Sequence, residues 1–193
     1  MPIEGVPIEG VPVEPESLLI LGLGNVLCGD DGLGVAAVAA LDRLYEPPPE
    51  VRWMDGGTLG LALLHYVNDV EALILVDAIR ADGPPGTPVR LTGDDVAPAI
   101  ESRLSVHQIG VADLLDGLRW TNSGPTRIVL LGLVPQTLEL GLGRSAAVVQ
   151  GLPGLVEAVV KEAAELGFEL SPRQGDELYA RNDFDFAPRA LGL

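Results

Sequence analysis

Apolar residues along this chain fall into short runs that end on turn chemistry, and the runs alternate between strand-like and helix-like spacing. Residues 18–23, LLILGL, are almost continuously apolar and close on Gly24-Asn25, as a buried parallel strand does when it delivers the chain into a tight loop. Beyond a loop carrying Asp30-Asp31, the spacing predicts a helix over 32–45 with Val35, Val38, Leu41 and Leu44 on one face, stopped by Pro47-Pro48-Pro49. A short strand over 51–54 should end at the turn Asp55-Gly56-Gly57-Thr58, with Thr58 capping a helix over 59–67. Residues 72–76 predict a strand ending at Asp77, and 87–91 an edge strand crowded by Pro84, Pro85 and Pro88.

The segment Ser105-Val106-His107-Gln108 has the form of a capping box, in which the Ser and Gln side chains satisfy orphan backbone N–H groups, and it should open a helix over 106–118. A fifth strand is expected over 127–133, ending at Pro135-Gln136, and a last helix over 146–166 whose start Gly151, Pro153 and Gly154 would loosen. Residues 1–16 repeat PIEGV without any amphipathic period and are expected to be a disordered leader; 171–193 mix charge, Pro and Phe and are expected to be a tail. Strands and helices alternating at this spacing predict one α/β domain over 17–170. It would be three-layered, with a mostly parallel, twisted, five-stranded sheet and helices on both faces.

Composition narrows the partners. With 28 acidic against 12 basic residues the formal net charge is -16, which opposes nucleic-acid binding and favours a basic or cationic partner. The single Cys28 excludes an internal disulfide, and Gly, Asn, Asp or Pro interrupts each apolar run before it could span a bilayer. A cytoplasmic protein without membrane or nucleic-acid partners is expected, since the N-terminus also lacks the basic and apolar regions of a signal peptide.

In open α/β sheets ligands bind outside the carboxyl ends of the strands. Three successive strands end in acid here, at Asp30-Asp31, Asp55 and Asp77, and His107 joins them if its helix starts on the same edge. Carboxylates and an imidazole offer oxygen and nitrogen ligands for a divalent metal such as nickel or zinc, and a general base. Plainer roles stand beside these. Asp30 reads as a helix cap, Asp55 equally well as an Asx-turn residue, His107 alone as a residue of a first helical turn, and His65 as surface or packing. Cys28 reads as a small apolar filler before a nucleophile. The loop fails as a dinucleotide fingerprint, because Leu27 stands where the third glycine belongs.

Taken in order, Gly22-Leu23-Gly24-Asn25, Asp30-Asp31-Gly32-Leu33-Gly34-Val35, Asp55-Gly56-Gly57-Thr58, Asp77-Ala78, Ser105-Val106-His107-Gln108 and Gly132-Leu133-Val134-Pro135 with the later Glu139 resemble the hydrogenase maturation endopeptidases. The resemblance covers about residues 18–170. It implies a peptidase domain that removes the C-terminal extension of the nickel-iron hydrogenase large-subunit precursor. It also implies a metal triad of Asp31, Asp77 and His107, with Asp31 and Asp77 catalytic and the nickel carried by the substrate; zinc or cadmium would be stand-ins in vitro. Gly24, Asn25, Asp30, Asp55, Gly56, Gly57, Thr58 and Gln108 would border the cleft. Asp31 stands where some members carry Glu, one methylene longer. No Ser-His-Asp set and no HExxH helix is present, so water is the expected nucleophile. The alternatives are a nickel-binding hydrogenase chaperone that cuts nothing and a thiol hydrolase built on Cys28 and His107.

Overall fold

The structure is a computed structural model that describes residues 17–101 and 124–173. The strands are β1 (Leu18–Leu23), β2 (Tyr45–Glu46), β3 (Val51–Gly57), β4 (Ala72–Ala78), β5 (Pro88–Thr92), β6 (Arg127–Leu133) and β7 (Ser171–Pro172), and the helices are α1 (Leu33–Leu44), α2 (Leu64–Val67), α3 (Val96–Glu101) and α4 (Ala146–Glu165). Five strands form one sheet in the order β3-β1-β4-β6-β5. All its pairs are parallel except β5 with β6, which is antiparallel and puts the proline-flanked strand at the edge, as expected.

The central strands are apolar on both sides because both sides are covered. Leu18, Ile20, Ile74 and Val76 pack with Leu33, Ala37 and Leu41 of α1 and Leu152, Val156 and Val159 of α4. On the other face Leu19, Leu21, Leu73 and Leu75 meet Leu63, Val67 and the α3 residues Val96, Ala97 and Ile100. This is the three-layer α/β arrangement that the alternation predicts.

Several local expectations are corrected. The buried stripe of α1 is Leu33, Ala36, Ala37, Ala40 and Leu41 with Val38, whereas Val35 and Leu44 are only half-buried. Small alanines let the helix lie close to the sheet, so the buried face is rotated from the one that the larger side chains mark. Closest of all is Gly34, where a Cβ would lie 2.1 Å from the Val76 carbonyl oxygen. The strand expected to stop before Asp55 pairs with β1 through Gly57, with a register irregularity at Gly22/Leu23. Thr58 caps nothing: residues Gly60–Leu63 form a 3-10 turn after Leu59, without a side-chain cap, and α2 is a single turn. Helix α4 is continuous through Pro153, its N-terminus capped by Ser145, whose Oγ accepts from the Val148 N–H at 3.4 Å.

Residues 171–173 are not a free tail. β7 pairs antiparallel with β2, and Arg173 donates to the Asp42 carbonyl at 3.0 Å and meets Glu46 at 3.4 Å. At the opposite edge Arg90 of β5 makes a two-pronged bond to Glu162 of α4, at 2.7 and 2.8 Å, and that bond pushes the guanidinium pKa up. The leader at 1–16, the helix expected over 106–118 and the tail beyond 173 lie outside the described residues.

Candidate functional site

The carboxyl ends of β1, β3, β4 and β6 lie on one edge of the sheet, and β1 is flanked by β3 on one side and β4 on the other. The chain leaves β1 into α1 on one face, then returns from β3 through α2 on the other face to reach β4. Connections diverging to opposite faces open a crevice at such a switch point, and the acidic residues of the sequence gather there.

Asp31 sits in a 3-10 turn, Gly29–Gly32, that leads into α1 and packs against β4. It is 4 % exposed, and its Oδ2 accepts the Asn25 N–H at 2.8 Å. That closure depends on Gly24: its φ is +118°, and a Cβ there would fall 1.7 Å from the Asp31 carbonyl oxygen. Asp77 belongs to β4 itself, opposite Gly132 of β6, and is 2 % exposed, with Oδ1 accepting the Ala78 N–H at 2.7 Å. The start of α1 rests on Val76, so the fold brings the Asp31 turn onto the strand end that carries Asp77.

Asp55 lies on β3 beside β1, in register with Gly22, and is exposed. Gly56 is buried against Leu21, Gly57 takes a φ of +42°, and Thr58 is exposed. His107 and Gln108 lie outside the described residues, and among the described residues no three His, Cys, Asp or Glu side chains form a metal-holding group. Cys28 is half-buried, not a core filler, and bridges to Gly141 through its backbone. His65 is exposed and meets the Tyr66 ring edge-on at 5.6 Å.

Asp30 departs furthest from expectation. The N-cap of α1 is Gly32, with no side-chain cap bond, so Asp30 caps nothing on its own helix. Its fully buried carboxylate accepts from the backbone N–H groups of Gln136, Thr137 and Ser145, residues 106 to 115 positions away. No local pattern announces such a bond; the only signal at the far end is Ser145 ahead of an apolar run, as an N-cap should be.

Exposed apolar side chains stand on the loops of this region. Val26 and Leu27 stand on the Asp31 loop, and Leu140 (88 % exposed) and Leu142 (72 %) stand on the loop after β6, which is laced to the first by bonds from Gly29 N–H to Gly141 O and from Gly141 N–H to Leu27 O. Beside them Val26, Val35, Leu142 and Arg144 help to line a cavity of about 240 Å³. Leu59 and Leu61 are exposed just after β3.

Comparison with known proteins matches residues 35–162 to the family described as hydrogenase maturation protease. The hydrogenase 2 maturation protease of Escherichia coli is 36% identical over 158 residues, covering 81% of this chain and 96% of that protein. The hydrogenase expression/formation protein HupD of Rhodobacter capsulatus is 37% identical over 161 residues, 82% of this chain and 76% of its own. Among solved structures, the hydrogenase maturating endopeptidase HybD of E. coli superposes with a TM-score of 0.78 at 35% identity, covering 81% of this chain and 98% of that one. The [NiFe] hydrogenase maturation protease HybD of Thermococcus kodakarensis gives 0.62 at 28% identity, over 76% and 99%.

Proposed function

The chain belongs to the hydrogenase maturation protease family, endopeptidases of hydrogenase maturation, and from that premise we propose that it removes the C-terminal extension of a nickel-loaded nickel-iron hydrogenase large-subunit precursor. The nickel is part of the substrate, and its presence is the signal to cut. The observation that carries this reading is the pair Asp31 and Asp77, two carboxylates almost wholly removed from solvent, one on the turn after β1 and the other at the end of the neighbouring strand β4, at the switch point of the sheet. Carboxylate oxygens ligate cations and accept hydrogen bonds, so two carboxylates buried at one strand edge suit a cation delivered with the substrate better than an anion.

In this account Asp31, Asp77 and His107 engage the substrate's nickel, and that docking brings the scissile amide into the crevice. Water attacks the carbonyl carbon, a carboxylate of the pair takes its proton, and the amide nitrogen leaves protonated as the C–N bond breaks. The exposed Val26, Leu27, Leu140, Leu142, Leu59 and Leu61 suit a polypeptide partner, because exposed apolar side chains beside a polar site are what protein docking buries.

The test is the mass of the precursor after incubation with the protein, using nickel-loaded and nickel-free precursor. The loaded precursor should lose its extension and the nickel-free one should not. Asp31→Asn and Asp77→Asn should each slow cleavage by roughly 10²-fold or more, the size of a lost general base. Equal cutting of both precursors would remove nickel sensing from the account, and wild-type rates in both variants would remove the carboxylates.

A further inference from the structure

Asp30 and Asp31 are consecutive, yet their side chains leave the 3-10 turn for different partners. Asp31 accepts from Asn25 inside its own loop. Asp30 reaches across to the connection between β6 and α4: Oδ2 accepts from Gln136 N–H at 2.8 Å and Thr137 N–H at 3.2 Å, and Oδ1 from Ser145 N–H at 2.6 Å. The Asp30 N–H in turn donates to Thr137 O at 3.1 Å. Three donors converge on a side chain with no exposed surface, and each is a backbone N–H at a fixed position, so the arrangement holds geometry.

We propose that Asp30 is a positioning residue for the cleavage reaction. By clamping both ends of the 136–145 connection to the turn, it fixes the backbone at the point from which the Asp31 carboxylate enters the crevice. The inference rests on the reading that Asp31 acts on the substrate. Catalytic groups must be held within fractions of an ångström, and a displacement of about 1 Å can cost two orders of magnitude in rate. Two interlaced loops give that rigidity only if something resists their sliding. The Gly29–Gly141 and Gly141–Leu27 bonds tie their tips, and Asp30 ties their roots.

The clamp can be opened from either side in the full chain. Asp30→Asn turns an NH2 toward at least one of the three donors. Ser145→Pro deletes the N–H that meets Oδ1, at a residue whose φ of -61° already suits proline, and Ser145→Ala removes only the hydroxyl cap. With nickel-loaded precursor, Asp30→Asn and Ser145→Pro should lower kcat about tenfold or more with KM within about threefold, whereas Ser145→Ala should keep the wild-type kcat. Near-UV circular dichroism sets the folded fraction on which kcat is reckoned, and Ser145→Pro carries the test if Asp30→Asn does not fold. Asp31→Asn is measured in the same series. If it is inactive while both clamp variants, folded, keep full kcat, or change KM alone, the positioning role is overturned and the functional reading stands. If Asp31→Asn itself cleaves normally, the functional reading falls and the positioning role with it.

Discussion

Replacing Gly34 by alanine tests whether the site depends on how closely α1 approaches the sheet. An alanine Cβ would sit 2.1 Å from the Val76 carbonyl oxygen, 2.4 Å from the Leu23 carbonyl oxygen and 2.5 Å from the Leu23 nitrogen, all rigid backbone, where ordinary contact begins at 3.4 Å. No rotamer change relieves this, so the start of α1 must retreat by about 1 Å, an overpacking strain worth roughly 1–3 kcal/mol. For a chain of this length a loss of about 2 kcal/mol lowers Tm by about 4–8 °C, and nearly all molecules stay folded at 25 °C. The rate should suffer more. The Asp31 turn leads directly into α1 and lies against β4, so the same retreat separates Asp31 from Asp77. A shift of about 1 Å predicts a loss near 10²-fold. Cleavage of the precursor followed by mass, alongside calorimetry, reads both quantities. A variant within about twofold of the wild-type rate, with the Tm drop present, would show that the crevice tolerates the displacement and would refute the coupling.

The same substitution has the opposite sign on α4. Gly154 is exposed within that helix and nothing lies within 4 Å of where its Cβ would be, so Gly154→Ala should raise stability by about 0.8–1 kcal/mol, read as a Tm increase of about 2–4 °C. Cys28→Ala keeps the Cβ and the backbone bridge to Gly141, and precursor cleavage should stay within about twofold of wild type; complete loss of cleavage would restore the thiol-hydrolase alternative.

Much of the fold was legible because it rests on periodicity. The apolar runs of β1, β4 and β6 mark strands buried on both faces, and prolines beside 87–91 mark an edge that cannot donate a full ladder. The candidate site was legible in part, since acids at the ends of successive strands need only the parallel topology to share one edge. The errors came where local propensity met a tertiary constraint. Thr58 has the chemistry of a cap but follows a strand held in the ladder through Gly57, and Ser171–Pro172 pair with a strand more than a hundred residues earlier.

The sequence by itself determined which elements exist, which strand ends carry acid, and which family the ordered motifs resemble, because these are properties of spacing along the chain. Only the tertiary structure decided that the alanines of α1 face the sheet, that Asp77 stays in the β4 ladder, and that Asp30 holds a loop more than a hundred residues away while Asp31 accepts from Asn25. The physical reason is that a carboxylate's role is set by the donors folding brings to it, and two adjacent aspartates are chemically identical until the chain around them closes.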